Sequence, residues 1–204
     1  PLASLPNVIV VSPSKGYKDV ADLVAKAKAQ PGVLNYASAG NGSATHMNAE
    51  KFRVATGIQA QHVPYRGTPE ALTETASGRI DWFFAPLVSA LPLIQSGRLQ
   101  AIAVSTAQRS PLLPQVPSIS DAGYASAAYT FWVGLFVTAK TPKPIVNKLH
   151  AGVMQVLAMP DVKDRLDKLG AAAMPMQQDA FEKYLDSETA SAAQLVKAAG
   201  IKIE

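Results

Sequence analysis

A unit that occurs twice in the middle of the chain does most to limit what it can fold into. Ala71 to Ser77 reads as a helix stopped at Gly78-Arg79 and followed at once by Ile80-Asp81-Trp82-Phe83-Phe84. Ala90 to Ser96 is stopped in the same way at Gly97-Arg98 and followed by Leu99-Gln100-Ala101-Ile102-Ala103-Val104. Glycine suits the left-handed position just past a helix end, and an apolar strand directly behind it allows only a short connection. Two such helix–stop–strand units predict helices laid on a largely parallel sheet, an α/β fold. Val8-Ile9-Val10-Val11 is a further buried strand. It is followed by a helix with Asp19 in its first turn, an apolar stripe of Val20, Leu23, Val24 and Ala27, and a stop at Pro31-Gly32.

The stretch from Val33 to Glu50 carries the chemistry. Val33 to Ala37 alternates as a strand, Ser38-Ala39-Gly40-Asn41-Gly42-Ser43 is a Gly-rich turn, and Ala44 to Glu50 has helical spacing. Gly40 and Gly42 let the backbone turn and approach a ligand without a Cβ, and Ser43 or Thr45 caps the helix. A helix N-terminus presents unpaired N–H groups and a partial positive charge, to which Ser38, Asn41, Ser43, Thr45 and His46 add polar side chains. An anion fits there. Turns of this kind also occur simply because a chain must reverse, and a single Gly-rich turn is a weak motif.

A second strand-to-helix turn follows the predicted strand Ile58 to Val63. It offers the Tyr65 hydroxyl, Arg66, the Gly67 amide, and Thr68 as N-cap with Pro69 at the first helical position. Pro111 to Gly123 holds three prolines and reads as a surface loop. Phe131 to Val137 is a strand carrying Trp132 between two compositional halves. Helices follow at Pro144 to Met159, Asp161 to Leu169 and Asp179 to Ala198, with a short strand at Ala171 to Met176.

The 204 residues suffice for one domain or two small ones. With 48% hydrophobic and 17% charged residues the chain is globular. The net charge of +4 comes from scattered basic residues, which suits small anions and not nucleic acid. No cysteine is present, so disulfides and Cys-ligated zinc are excluded. His46, His62 and His150 stand far apart without carboxylates at ligand spacing, and no GxSxG, P-loop or GxGxxG motif occurs, so no metal or cofactor is expected. Asp81 either contacts a ligand or pairs with Arg79. A binding function is therefore favoured. The rival is an α/β enzyme acting on a small phosphorylated or acyl substrate at the same loop, with His46 as acid/base.

Several motifs in register carry a resemblance: Tyr36-Ala37-Ser38-Ala39-Gly40-Asn41-Gly42-Ser43-Ala44-Thr45-His46, His62-Val63-Pro64-Tyr65-Arg66-Gly67, Gly78-Arg79-Ile80-Asp81, Leu99 to Val104, Arg109 to Pro117 and Gly134-Leu135-Phe136. In this order they resemble the solute-binding receptors of tripartite tricarboxylate transporters, the Bug type, over essentially the whole chain. The resemblance implies a periplasmic-binding-protein type II-like fold: two α/β lobes joined by crossing strands, closing on a small organic carboxylate. It also implies a periplasmic, monomeric, non-enzymatic protein that delivers its ligand to membrane subunits.

On that plan residues 10–132 form a complete second lobe, while 1–9 and 133–204 supply hinge strands and the returning part of a first lobe whose opening strands lie outside this sequence. The chain starts at Pro1, which implies processing, trimming or a fragment. Ser38, Ala39, Gly40, Asn41, Gly42, Ser43, Thr45 and His46 match one ligand loop, Tyr65 and Gly67 the neighbouring turn, and Asp81 completes the candidate set. Ala85-Pro86 stands where some relatives carry an acidic residue, which favours a plain carboxylate over an amino acid.

Overall fold

Five strands make the larger of two sheets in the computed structural model, which describes residues 1–201. They are β2 (Asn7–Val11), β3 (Asn35–Ser38), β4 (Gln61–Pro64), β5 (Trp82–Pro86) and β6 (Gln100–Val104), in the order β4-β3-β5-β2-β6. β3 is parallel to β4 and to β5, whereas β2 is antiparallel to both β5 and β6. The expected largely parallel sheet is thus corrected to a mixed one: four strands share a direction, and β2 is inserted against them. The repeated Gly-Arg stops behave as read, with Gly78 at φ 79° and Gly97 at φ 71°.

Both faces of this sheet are covered, which explains the near-continuous apolar runs of β2 and β5. Ile9, Val11, Tyr36, Trp82 and Phe84 face one side, where α1 (Val20–Ala29) and α2 (Ala44–Thr56) contribute Leu23, Val24 and Phe52. Val8, Val10, Ala37, Phe83 and Ala85 face the other, against α3 (Thr68–Ala76) and α4 (Leu87–Gln95). Phe52 meets Trp82 and Phe84 edge to face at 5.5 and 5.7 Å, the arrangement that ring quadrupoles favour.

The smaller sheet has the order β7-β1-β8, all antiparallel, from β1 (Ala3–Leu5), β7 (Phe131–Val133) and β8 (Ala172–Ala173). It is accompanied by α5 (Lys143–Ala158), α6 (Pro160–Lys168) and α7 (Gln178–Ala199). The change of sheet falls at Pro6, so Asn7 to Ile9 belong to the larger sheet and not to the 1–9 segment expected to lie outside it. β7 ends four residues earlier than predicted, and Leu135, Phe136 and Val137 are exposed. β4 begins at Gln61 because Ile58, predicted as its first residue, turns into the core instead.

The chain crosses between the sheets twice, and the crossings are bonded together. The Asn7 amide donates to Ser105 Oγ (3.1 Å), Ser105 N–H to the Asn7 carbonyl (2.8 Å), and Ser105 Oγ to the Tyr129 carbonyl (2.8 Å). Two residues further on, Leu5 and Phe131 pair in the smaller sheet.

Candidate functional site

Strands β3 to β6 all end at one edge of the larger sheet, where ligands of α/β folds gather. β3 delivers Ser38 to this edge, and residues 39–43 turn there into α2. Ser43 is the N-cap, accepting the His46 N–H at 3.3 Å, which resolves the choice between Ser43 and Thr45. β4 ends beside it: the Tyr65 N–H donates to the Ser38 carbonyl at 3.0 Å, bringing the second turn against the first. A Cβ on Gly40 (φ 116°) would lie 3.6 Å from the Tyr65 carbonyl oxygen. Gly67, not Thr68, caps α3, with Thr68 and Pro69 opening the helix.

The polar side chains of the loop are largely spent on holding it. Thr45 Oγ1 accepts the Ala39 N–H (2.9 Å), Ser38 Oγ accepts the Gly40 N–H (3.1 Å), Ser43 Oγ donates to the Gly40 carbonyl (2.7 Å), and His46 Nδ1 accepts the Gly42 N–H (3.1 Å). Ser38, Thr45 and His46 are buried; Asn41 and Gly42 are exposed. The amides of Asn41, Ala44 and Thr45 make no hydrogen bond among the described residues. A rigid loop thus presents three unspent main-chain donors at the positive end of a thirteen-residue helix.

Tyr65 and Gly67, both half-buried, join the loop at the same edge. Asp81 does not. It precedes β5 opposite Asn35, three residues and hence about 10 Å from Ser38, at the other end of the strands. There it pairs with Lys15 (2.8 Å) and accepts the Tyr17 hydroxyl (3.1 Å) and the Asn35 N–H (2.9 Å). Arg79, its expected partner, instead pairs with Glu74.

The sequence reading missed His62 as a partner of the loop. Parallel register places it beside Tyr36, and Ser38 lies two residues on along the same face, so His62 Nε2 reaches Ser38 Oγ at 2.6 Å. Such a contact could serve as a nucleophile and base, but Ser38 is fully buried and no carboxylate hydrogen-bonds the His62 ring among the described residues. Burial, then the neighbouring His46, push the His62 pKa down to about 4, which makes it a weak base.

Glu50, on the next turns of α2, accepts from the Tyr36 hydroxyl and from Arg53 Nη2 (2.8 Å). Burial raises its carboxyl pKa, but the bonds from Arg53 and Tyr36 outweigh this and hold it below the usual range.

Comparison with known proteins gives the family and the fold. The sequence model of the family described as "Tripartite tricarboxylate transporter family receptor" matches residues 1–201. A protein of Pseudomonas sp. strain P51, described as a UPF0065 protein in the tcbD-tcbE intergenic region, is 32% identical over 188 residues. That covers 92% of this chain and 56% of the relative, so the chain spans little more than half the relative's length. Among solved structures, R. palustris Rpa4515 with adipate superposes with a TM-score of 0.89 at 30% identity, covering 98% of this chain and 67% of that one. MatC of Rhodopseudomonas palustris with bound malate gives 0.83 at 27%, covering 97% and 67%.

Proposed function

We propose, from the premise that this chain belongs to the tripartite tricarboxylate transporter receptor family, that it is a non-enzymatic, extracytoplasmic solute-binding protein for a small organic carboxylate. The observation that carries this reading is the set of unspent amides at Asn41, Ala44 and Thr45, held at the N-terminus of α2 by a loop whose own side chains are already bonded. Donors of that kind stabilise negative charge without proton transfer and suit a carboxylate. Ser38 to Ser43, Thr45 and His46 form the binding loop, and Tyr65 and Gly67 its flank. Asp81 is left out of the site as a structural ion pair. The larger sheet and its helices form one lobe, and the smaller sheet contributes to another. The carboxylates bound by the two solved relatives set the size of ligand to try first, and Ala85-Pro86 leaves no acidic partner at that point for an amine. Delivery to membrane subunits of a transporter, from the periplasm and as a monomer, completes the reading.

Thermal shift with a panel of dicarboxylates, monocarboxylates, amino acids and phosphorylated compounds tests it. Stabilisation by one or more carboxylates is the expected result. Stabilisation by phosphorylated compounds alone, accompanied by turnover, would return the enzyme reading. Gly42, at φ 71°, supplies the companion test: Gly42→Val forces the backbone out of the left-handed region and re-aims the neighbouring amides. Carboxylate affinity is expected to fall more than about ten-fold, the equivalent of one lost charge-assisted hydrogen bond.

A further inference from the structure

Two imidazoles lie face to face behind the anion loop. The rings of His46 and His62 are 3.9 Å apart and within 6° of parallel; His62 stacks on Tyr36 at 5.1 Å, and Tyr36 on Trp82 at 4.8 Å. The pair therefore caps a column of rings that starts in the core. Each imidazole is tied to one end of the loop, His62 to Ser38 and His46 to Gly42. The Gly42 bond fixes the state of His46: Nδ1 offers its lone pair, so the ring is neutral with its hydrogen on Nε2. A proton on His46 Nδ1 would abolish that bond.

His62 is under no such constraint. When its Nε2–H donates to Ser38 Oγ, the Ser38 hydroxyl donates in turn to the Gly40 carbonyl at 3.1 Å, and Nδ1 remains able to accept a proton with every loop bond intact. Two stacked rings at this distance hold two like charges poorly, so the pair takes one proton. Among the described residues the charged groups facing it are Glu50 and Arg53 from α2, which pair with one another. From β3 comes the Tyr36 hydroxyl, donated to Glu50, and from the end of α7 the Ala199 carbonyl, which accepts from Arg53. A carboxylate seated in the loop would be the one uncompensated charge beside the pair among the described residues.

We propose that His46 and His62 are positioning residues that hold the anion loop as a neutral pair, and that one proton from solvent enters at His62 Nδ1 when a carboxylate is seated, so that anion and proton load together. The proposal rests on the receptor reading of the loop. Its sign is fixed by linkage. Burial, and the charge that a protonated His46 would carry, disfavour the His62 imidazolium and lower its pKa to about 4; with His46 neutral, burial still holds it below the ordinary value of about 6.5, and an adjacent anion moves it back towards that value. Affinity therefore rises as pH falls between those limits, by at most about ten-fold per pH unit for one proton.

Malate is the probe. Calorimetric titration at about pH 7.5 and 5.5, in two buffers of different ionisation enthalpy, is expected to show several-fold tighter binding at the lower pH with net proton uptake. Long-range 1H–15N spectra should show the His62 ring, and not His46, gaining the proton. In His62→Gln, which keeps a nitrogen near Ser38 but cannot be protonated, the pH slope should vanish whatever the affinity at pH 7.5. Equal affinities without proton uptake in the natural protein, or a slope that survives in His62→Gln, overturn the proposal. If neither malate nor adipate binds at any pH, it is the carboxylate reading that fails, and spectra of the ligand-free protein judge the pair. A His62 that titrates near 6.5, or a Gly42 amide indifferent to the state of His46, overturns the neutral pair as well; rings neutral to below about pH 5 uphold the pair, while the coupled loading falls with the carboxylate reading.

Discussion

Asp81 shows how a residue can look functional in sequence and be found among structural partners in space. Its place inside an apolar strand marks it as special, but which end of the strand faces the ligand edge depends on pairing with β3, and no local pattern encodes that. The fold puts it opposite Asn35, where it receives Lys15, Tyr17 and the Asn35 amide. Asp81→Ala leaves these donors without a partner in a mostly buried position and should cost about 2–4 kcal/mol of stability. Urea unfolding should show that loss, while carboxylate affinity at a temperature where the variant stays folded should not change; a selective loss of binding would return Asp81 to the site. Ser43 was legible because N-caps are local. His62 was not, because its contact with Ser38 needs the register of two strands separated by a whole helix.

At the scale of elements, helices were read well and strand directions less well. Helix periodicity and glycine stops are properties of consecutive residues, and α5, α6 and α7 begin within a residue of expectation. The reversed direction of β2 follows from the crossing at Pro6, and β1, three residues long, gives no pattern of its own. Gly134 illustrates what element packing adds. A Cβ there would lie 2.9 Å from the Trp132 ring, 3.2 Å from Phe136 and 3.5 Å from Phe181, so this glycine lets α7 close on the end of β7. Gly134→Ala should push these rings apart and cost about 1–3 kcal/mol. Hydrogen exchange should quicken along α7 and leave β3 and β5 as protected as before; uniform quickening would show that α7 is not separately anchored.

For the molecule as a whole, acid should be the weak point. Glu50 is held below the usual carboxylate range, so the stability it contributes is present at neutral pH and lost as pH falls through its folded value. His62 resists protonation to about 4, whereas the unfolded chain accepts that proton near 6.5, so stability also declines between those values. Both act in one direction. The urea midpoint, followed by Trp82 and Trp132 fluorescence, should be lower at pH 4.5 than at 7.5, and a flat profile would contradict both the bonding of Glu50 by Arg53 and Tyr36 and the burial of His62. The paired crossings at Pro6 and at Ser105–Tyr129 have a mechanical consequence of their own. Because Asn7, Ser105 and Tyr129 bond the two strands side by side, the joint behaves as a laminated strip, pliant across its thin dimension and stiff against shear. Any relative movement of the sheets it connects is therefore expected to follow a single arc, so that a load placed at one edge is converted into one reproducible displacement at the other.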